Sequence, residues 1–448
     1  MKIAFHTLGC KVNQYETEGL KENFKKAGHE TVPDTEFADV YVINTCTVTN
    51  LADRKSRQFI RRARAINPDA AIAVTGCYVQ VSPEEVAAIE GVDIIAGTNE
   101  KSAMVALVEE YIRKGSKIRQ VKSYEELDTY EETGTITSME SRTRAYIKIQ
   151  EGCDRFCSYC IIPFARGRVR SRKPSEIIKE AANLIEAGFK ELILTGINAA
   201  LYGTEKGFVC DIDNPDIKEL YGIEIIIYLL DRMPGDFRIR LSSLEPTAVN
   251  SDYVKRLLEY DRLCHHLHLS IQSGSDSVIC AMNRNYTRRD YLDIVKVLRD
   301  KDPHYGITTD IIVGFPGETD EDFADSMNMV READFLRVHA FQYSKRKGTA
   351  AAVMENQIEP QVKKNRSAAL IAEADRVSKE FMTACTGEIR QVLFEETDKD
   401  KITGYTDNYI KVYAQADERF LNTLRDVKIT GIMYDGVSCE IIEEDLQI

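Results

Sequence analysis

The chain reads as an α/β protein in three parts, and three patterns carry that reading. In the first eighty residues, apolar strand candidates at 3–5, 40–43 and 72–74 alternate with helical patterns at 15–28 and 50–66, the rhythm of βαβ units around a parallel sheet. From 145 to 341, strand and helix signals alternate six times. After 384 the pattern changes to five short strands. The domains expected from these shifts are 1–135, 140–375 and 380–446.

The central strands are expected at 145–150, 191–195, 237–241, 266–271, 306–313 and 335–341. Helical stretches at 174–187, 246–260, 287–300 and 318–333 separate them, with a longer irregular connection at 200–235. Six repeats are too few to close an eight-stranded barrel, so a (β/α)6 partial barrel is predicted, with its site at the C-terminal ends of the strands. A charged helix at 359–383 leads to strands at 387–395, 401–406, 409–413, 426–433 and 437–442. Five short strands in this span predict a small OB-like antiparallel barrel, a common RNA-binding scaffold. Tyr405, Tyr409, Tyr413 and Phe394 are its candidate base-stacking surfaces.

Composition narrows the function classes. No apolar run approaches a membrane span, and the first residues lead straight into a strand. A cytoplasmic protein with no membrane partner is the expectation, and its eleven Cys should be reduced. The net charge of −13 does not advertise nucleic-acid binding, but its distribution is uneven. No acid falls between Asp154 and Glu176, where Arg155, Arg166, Arg168, Arg170, Arg172 and Lys173 cluster. A second basic run holds Arg54, Lys55, Arg57, Arg61, Arg62 and Arg64. Both could track phosphates. The C-terminal part, with 7 Lys and Arg against 14 Asp and Glu from residue 384 onward, is a poor source of affinity for phosphates.

The chemistry lies in the cysteines. Gly152-Cys153-Asp154-Arg155-Phe156-Cys157-Ser158-Tyr159-Cys160 puts three thiols at C-x3-C-x2-C spacing directly after the first central strand. Three thiolates can hold three irons of a [4Fe–4S] cube and leave the fourth open, whereas zinc takes four ligands and no fourth Cys or His lies near. Cys10, Cys46 and Cys77 each follow a strand candidate of the N-terminal part. Parallel strands bring their carboxyl ends to one edge, so a second three-Cys site is predicted there. Cys210, Cys264, Cys280, Cys385 and Cys439 show no ligand spacing.

The Cys153 loop resembles the signature of radical S-adenosylmethionine (SAM) enzymes. With the N-terminal three-Cys domain and a TRAM-like C-terminal barrel, the whole chain is similar to the radical SAM methylthiotransferases. The stretch Thr7-Leu8-Gly9-Cys10-Lys11-Val12-Asn13-Gln14-Tyr15-Glu16-Thr17 looks like the branch acting on N6-threonylcarbamoyladenosine at position 37 of tRNA, as does Gly404-Tyr405-Thr406-Asp407-Asn408-Tyr409. The resemblance implies SAM and two [4Fe–4S] clusters, one on Cys10, Cys46 and Cys77 that carries sulfur, one on Cys153, Cys157 and Cys160 that cleaves SAM to a 5′-deoxyadenosyl radical. It further implies that Tyr159 packs on the SAM adenine and that Gly196 lies in the turn binding the SAM amino group. Glu245 and Gln272 would contact its ribose or amino group, and Arg284 would pair with its carboxylate. The implied partners are the tRNA anticodon stem-loop, held in part by Arg166, Arg168, Arg170, Arg172 and Lys173, and an electron donor such as flavodoxin or ferredoxin; the sulfur donor is not implied. The alternatives are methylthiolation of a ribosomal protein and of isopentenyladenosine-37 in tRNA, and the basic segments and branch-like motifs favour threonylcarbamoyladenosine.

Overall fold

A computed structural model describes residues 1–134, 136, 143–415 and 417–442. The expected domain limits at 135, 140 and 446 lie outside the described residues. The N-terminal strands are β1 (Lys2–Thr7), β2 (Glu30–Val32), β3 (Val40–Thr45), β4 (Ala71–Gly76), β5 (Ile94–Ala96) and β6 (Ile118–Gln120). They form one wholly parallel sheet in the order β2-β1-β3-β4-β5-β6. β3 and β4 are buried on both faces, so they read as continuous apolar runs. Separate cores on the two faces, one around Ile43 and Val74, the other around Ile3 and Val42, mark a doubly wound sheet. The helix expected at 15–28 begins earlier, at Lys11–Lys26, with Cys10 at its N-cap.

The central strands are β7 (Arg144–Glu151), β8 (Arg170–Ser171), β9 (Glu191–Gly196), β10 (Arg238–Leu241), β11 (His266–His268), β12 (Gly306–Val313) and β13 (Arg337–Gln342). Parallel ladders run β7-β9-β10 and β11-β12-β13. Parallel bridges Ile239–Leu263 and Leu244–Leu269 join the two sets, and β8 pairs antiparallel on the free edge of β7. The result is the open six-stranded barrel the alternation predicted. Three helix starts carry the caps that sequence reading looks for: Asn250 on Ser251–Leu257, and Thr287–Asp290 and Thr319–Asp322 capping boxes on Arg288–Lys301 and Asp320–Glu332. The connection at 200–235 contains an unexpected helix, Glu224–Asp231.

Side chains alternate along the barrel strands. Ile147, Leu192, Leu194, Ile239, Leu267, Ile307 and Ile311 point outward into the core shared with the helices. The alternate positions face the lumen and are largely polar: Arg144, Glu191, Arg240, His266, His268, Asp310, Arg337 and His339.

The last strands are β14 (Ile389–Asp398), β15 (Lys401–Thr406), β16 (Lys411–Ala414), β17 (Leu424–Met433) and β18 (Gly436–Ile441), closed as β14-β15-β16-β18-β17. The closing β16–β18 ladder is parallel, so this barrel is not purely antiparallel as expected. Phe394 and Tyr413 belong to its buried side, and Tyr405 and Tyr409 stack on each other at 5.1 Å beneath the central barrel. Arg144 and Arg240 sit over their rings at 4.9 and 4.8 Å, and Tyr409 packs on His266 at 4.5 Å. These tyrosines dock one domain on another rather than offering the stacking surface expected of them. Gly306 is where the two backbones meet: a Cβ there would stand 2.0 Å from the Asn408 carbonyl oxygen. Gly306→Ala is expected to lower stability by about 1–3 kcal/mol through overpacking, read as a drop in thermal midpoint; an unchanged midpoint would mean the docking is plastic. Among the described residues, no helix is long and apolar enough to cross a membrane.

Candidate active site

The expected N-terminal Cys site assembles from strand order. β1, β3 and β4 are neighbours, so the residues after them gather on one edge: Cys10 at the helix N-cap, Cys46 after β3, Cys77 opening the helix Cys77–Val81. Asn13 ties the first two loops together, its Nδ2 donating to the Leu8 carbonyl at 2.7 Å and the Thr45 carbonyl at 3.0 Å. A Cβ on Gly9 would lie 2.8 Å from Cys46 Cβ, so the chain can pass only as glycine. Burial is the main influence on Cys10 and Cys46; it raises the first and pushes the second up to about 12.

The central Cys loop leaves the end of β7. Its backbone is held by Ser158, whose N–H donates to the Met282 carbonyl at 3.0 Å and whose hydroxyl donates to Ala281 at 2.8 Å. Burial pushes Cys153 up to about 11 and Cys160 up to about 12, and raises Cys157. Thiols that burial holds protonated, as it does these five, become good ligands when a metal supplies the compensating charge. A single tetrahedral zinc, with bonds to sulfur of about 2.3 Å, needs sulfurs about 3.8 Å apart. Among the described residues the one group of three donors all within 4.8 Å is His304, Cys385 and Glu388, not either triad. Neither triad is gathered as tightly as a single tetrahedral ion needs.

Facing the loop are the residues expected to hold the cofactor. Arg284 Nη2 donates to Tyr159 OH at 2.9 Å, and Nη1 pairs with Glu245 at 3.3 Å. Glu245 also accepts from Arg155 at 2.6 Å and Thr247 at 2.7 Å, with Asn198 at 3.4 Å. Gly196 passes close to Gln150, whose Oε1 a Cβ would approach to 2.8 Å. Gln272 is buried with φ +70, and its backbone bridges to β12 through Asp310 and Ile312. The Arg284 Nε, Asn198 Oδ1 and Tyr343 hydroxyl are buried without hydrogen-bond partners among the described residues. Orphaned polar atoms of both kinds suit a guest with a carboxylate and an amino group. The sequence placed Arg155 only in a basic run and gave Asn198 no contact of its own; their positions two residues after Cys153 and Gly196 were the available signal.

Three of the expected RNA contacts are not at the surface. Arg166 is wholly buried, donating from Nε to Cys77 Sγ at 3.1 Å and from its other nitrogens to Asn13, Glu16 and Glu151. Arg170 is buried against the Leu127 carbonyl, and Arg172 against Glu180 and Glu132. Only Arg168 and Lys173 are exposed. The exposed cations lie elsewhere. Arg54, Lys55, Arg61 and Arg62 form the outer face of the helix Asn50–Ile66, while Arg57 and Arg64 pair with Glu85 and Asp93. Beside the Cys loop, exposed Phe156 and Phe164 meet edge to face at 5.9 Å, with Tyr124 next and Arg168 over its ring at 6.0 Å.

Comparison with known proteins bears on the arrangement. The uncharacterized protein family UPF0004 matches residues 2–97, and the Radical SAM superfamily matches 147–330. The threonylcarbamoyladenosine tRNA methylthiotransferase MtaB of Bacillus subtilis is 43% identical over 99% of this chain and 98% of its own. The protein of the same name in Thermotoga maritima is 40% identical over 98% and 96%. The tRNA-2-methylthio-N(6)-dimethylallyladenosine synthase of Alkaliphilus oremlandii is 34% identical over 99% and 93%. Among solved structures, the radical SAM methyltransferase TsrM from Kitasatospora setae, with cobalamin and a [4Fe–4S] cluster bound, aligns with a TM-score of 0.58 at 13% identity, over 79% of this chain and 74% of that one. That likeness concerns the fold.

Proposed function

The chain belongs to the radical SAM methylthiotransferases, and on that premise we propose that it converts N6-threonylcarbamoyladenosine at position 37 of tRNA to the 2-methylthio form. The observation that carries this reading is full-length similarity, at 36–43% identity, to enzymes of that name. Two separate three-Cys sites support it. Membership of the radical SAM superfamily implies SAM and a [4Fe–4S] cluster. Cys153, Cys157 and Cys160 would hold that cluster, and Cys10, Cys46 and Cys77 a second. Together these groups would supply the radical and sulfur-transfer chemistry that a C2–H bond, neither acidic nor electrophilic, requires.

The protein's own part is to bind, orient and exclude water. Arg284 offers a free Nε to the SAM carboxylate, and Asn198 offers Oδ1 to its amino group. Glu245, held by two arginines, fixes the guanidinium that faces the cofactor. Tyr159, braced on Phe315, accepts from the same guanidinium through its hydroxyl. For the RNA, exposed Arg54, Lys55, Arg61, Arg62, Arg168 and Lys173 offer charge to the anticodon backbone. Phe156 and Phe164 offer faces to neighbouring unpaired bases. These surfaces favour tRNA over a ribosomal protein. A one-electron donor of the flavodoxin or ferredoxin type completes the requirements.

The test is nucleoside mass spectrometry of tRNA carrying threonylcarbamoyladenosine, incubated anaerobically with the reconstituted full-length enzyme, SAM, reductant and sulfide. A methylthio mass gain on that nucleoside is expected. SAM cleavage with the nucleoside unchanged, or a gain on isopentenyladenosine alone, would move the protein to another branch.

A further inference from the structure

Lys11 stands one residue from Cys10, in the first turn of a helix that packs against β7 and β9. Its charge is felt among Tyr409, Arg240, Arg144 and Glu191, and it acts in turn on His266 and His339. Those groups, from β7, β9, β10, β11, β13 and the docked C-terminal turn, surround the lumen, and the helix that begins with Lys11 packs against β7 and β9. Lys11 is half-buried there and forms no ion pair or hydrogen bond among the described residues.

The acids around it are already engaged. Glu191 accepts from Arg238 at 2.7 Å and from Arg240 at 2.8 Å. Glu395 pairs with Arg144. Asp310 takes His268 at 3.2 Å and the Ser270 hydroxyl at 3.1 Å. Arg337, on the lumen face of β13, is a second half-buried cation with no ion pair or hydrogen bond among the described residues, and His339 lies in the field of both. A desolvated cation without an internal partner is unfavourable until an anion joins it.

Resting on the function proposed above, we infer that Lys11 reads the free carboxylate of the threonylcarbamoyl group, with Arg337 as a second cation on the lumen wall. The bond to C2 and the bond to N6 diverge around the adenine ring. A base with C2 at the Cys-bearing mouth can therefore hold its N6 substituent in the polar lumen. The histidines and Ser270 there suit the carbamoyl and hydroxyl groups. An isopentenyl group would leave both cations without a counter-charge, which is how a site built for a charged group rejects an apolar analogue.

The experiment uses the reconstituted full-length enzyme and two anticodon stem-loop RNAs, one with threonylcarbamoyladenosine and one with its threonyl carboxylate as the methyl ester. Both carry the same phosphates, so their ratio isolates the carboxylate. Wild type is expected to favour the free acid by roughly tenfold to a hundredfold in kcat/KM, the scale of one charge-assisted hydrogen bond. Lys11→Gln should bring the ratio close to one, and Lys11→Arg should keep most of it. Anisotropy binding of the two RNAs to the same preparations, which needs no turnover, should give the same ordering. A wild type that methylthiolates acid and ester equally overturns the inference and leaves the function standing. So does a Lys11→Gln enzyme that keeps the wild-type ratio in either assay. A wild type that modifies neither RNA overturns the function itself.

Discussion

In the reconstituted full-length protein, Cys46→Ala is expected to reduce methylthiolation by more than about a thousandfold while 5′-deoxyadenosine still forms from SAM. Cys153→Ala is expected to lose both. The reason is ligand count. Each triad supplies three sulfurs, and an open iron requires all three of the others to be held. Cys46 is buried beside Gly9 and contributes nothing to either central-barrel contact of the Cys153 loop. Its loss should therefore be confined to one site. Iron should fall from about eight per chain to about four in either variant, taking four per cube. Cys439→Ala, which removes a buried thiol from the C-terminal core, should leave iron unchanged. A Cys46→Ala enzyme with full iron content and full methylthiolation would reduce the N-terminal site to a structural cluster of thiols.

The parts of this site that sequence exposed are those with fixed local rules. C-x3-C-x2-C needs only one loop, and Cys10, Cys46 and Cys77 follow from strand adjacency in a parallel sheet. The apolar runs of β3 and β4 were legible for the same reason. What stayed hidden depends on distant partners. The helix Glu224–Asp231 is apolar on nearly all sides, with Ile225, Ile226, Ile227 and Leu230 buried, so it has no amphipathic period to detect. β2, β5 and β6 are three residues each, below what a pattern can establish. The run from Arg166 to Arg172 looked like a surface field because only charge was counted. Its true partners, Glu16, Glu151 and Glu180, lie up to 150 residues away in sequence. For Glu151 and Glu180 a usable signal existed: they sit within largely apolar strand and helix segments, where an unpaired carboxylate would be too unfavourable to bury. Such acids require internal cations, and the arginines after the Cys loop were the supply.

Arg166→Met is accordingly expected to destabilise the protein by about 3–5 kcal/mol, the scale for breaking a buried hydrogen-bonded charge network. The guanidinium holds Asn13 and Glu16 of the first helix, Cys77 after β4 and Glu151 at the end of β7. It therefore pins the N-terminal sheet to the central barrel beside Cys77. Methionine keeps much of the apolar volume but none of the five donors. Glu16 then retains only Lys148 at 3.1 Å and Lys101 at 3.3 Å. Burial by itself would raise the Glu16 carboxyl; Arg166, Lys101 and Lys148 together overrule it and hold the group well below the ordinary range. A depressed carboxyl contributes stability that is complete above the unfolded value of about 4.3 and fades as pH falls toward the folded one. Without Arg166, burial regains weight and that contribution shrinks. The deficit of the variant should thus be largest near neutral pH and narrow as pH falls below about 4.3. Thermal unfolding of the two apo proteins across that range measures it directly. A deficit that is constant with pH would assign the loss to packing alone. Equal midpoints at neutral pH would mean that the buried network contributes specificity of docking and no stability, and the distance between the two Cys sites would then have to be fixed by other contacts, with Arg346 on Asp53 at 2.7 Å the next to test.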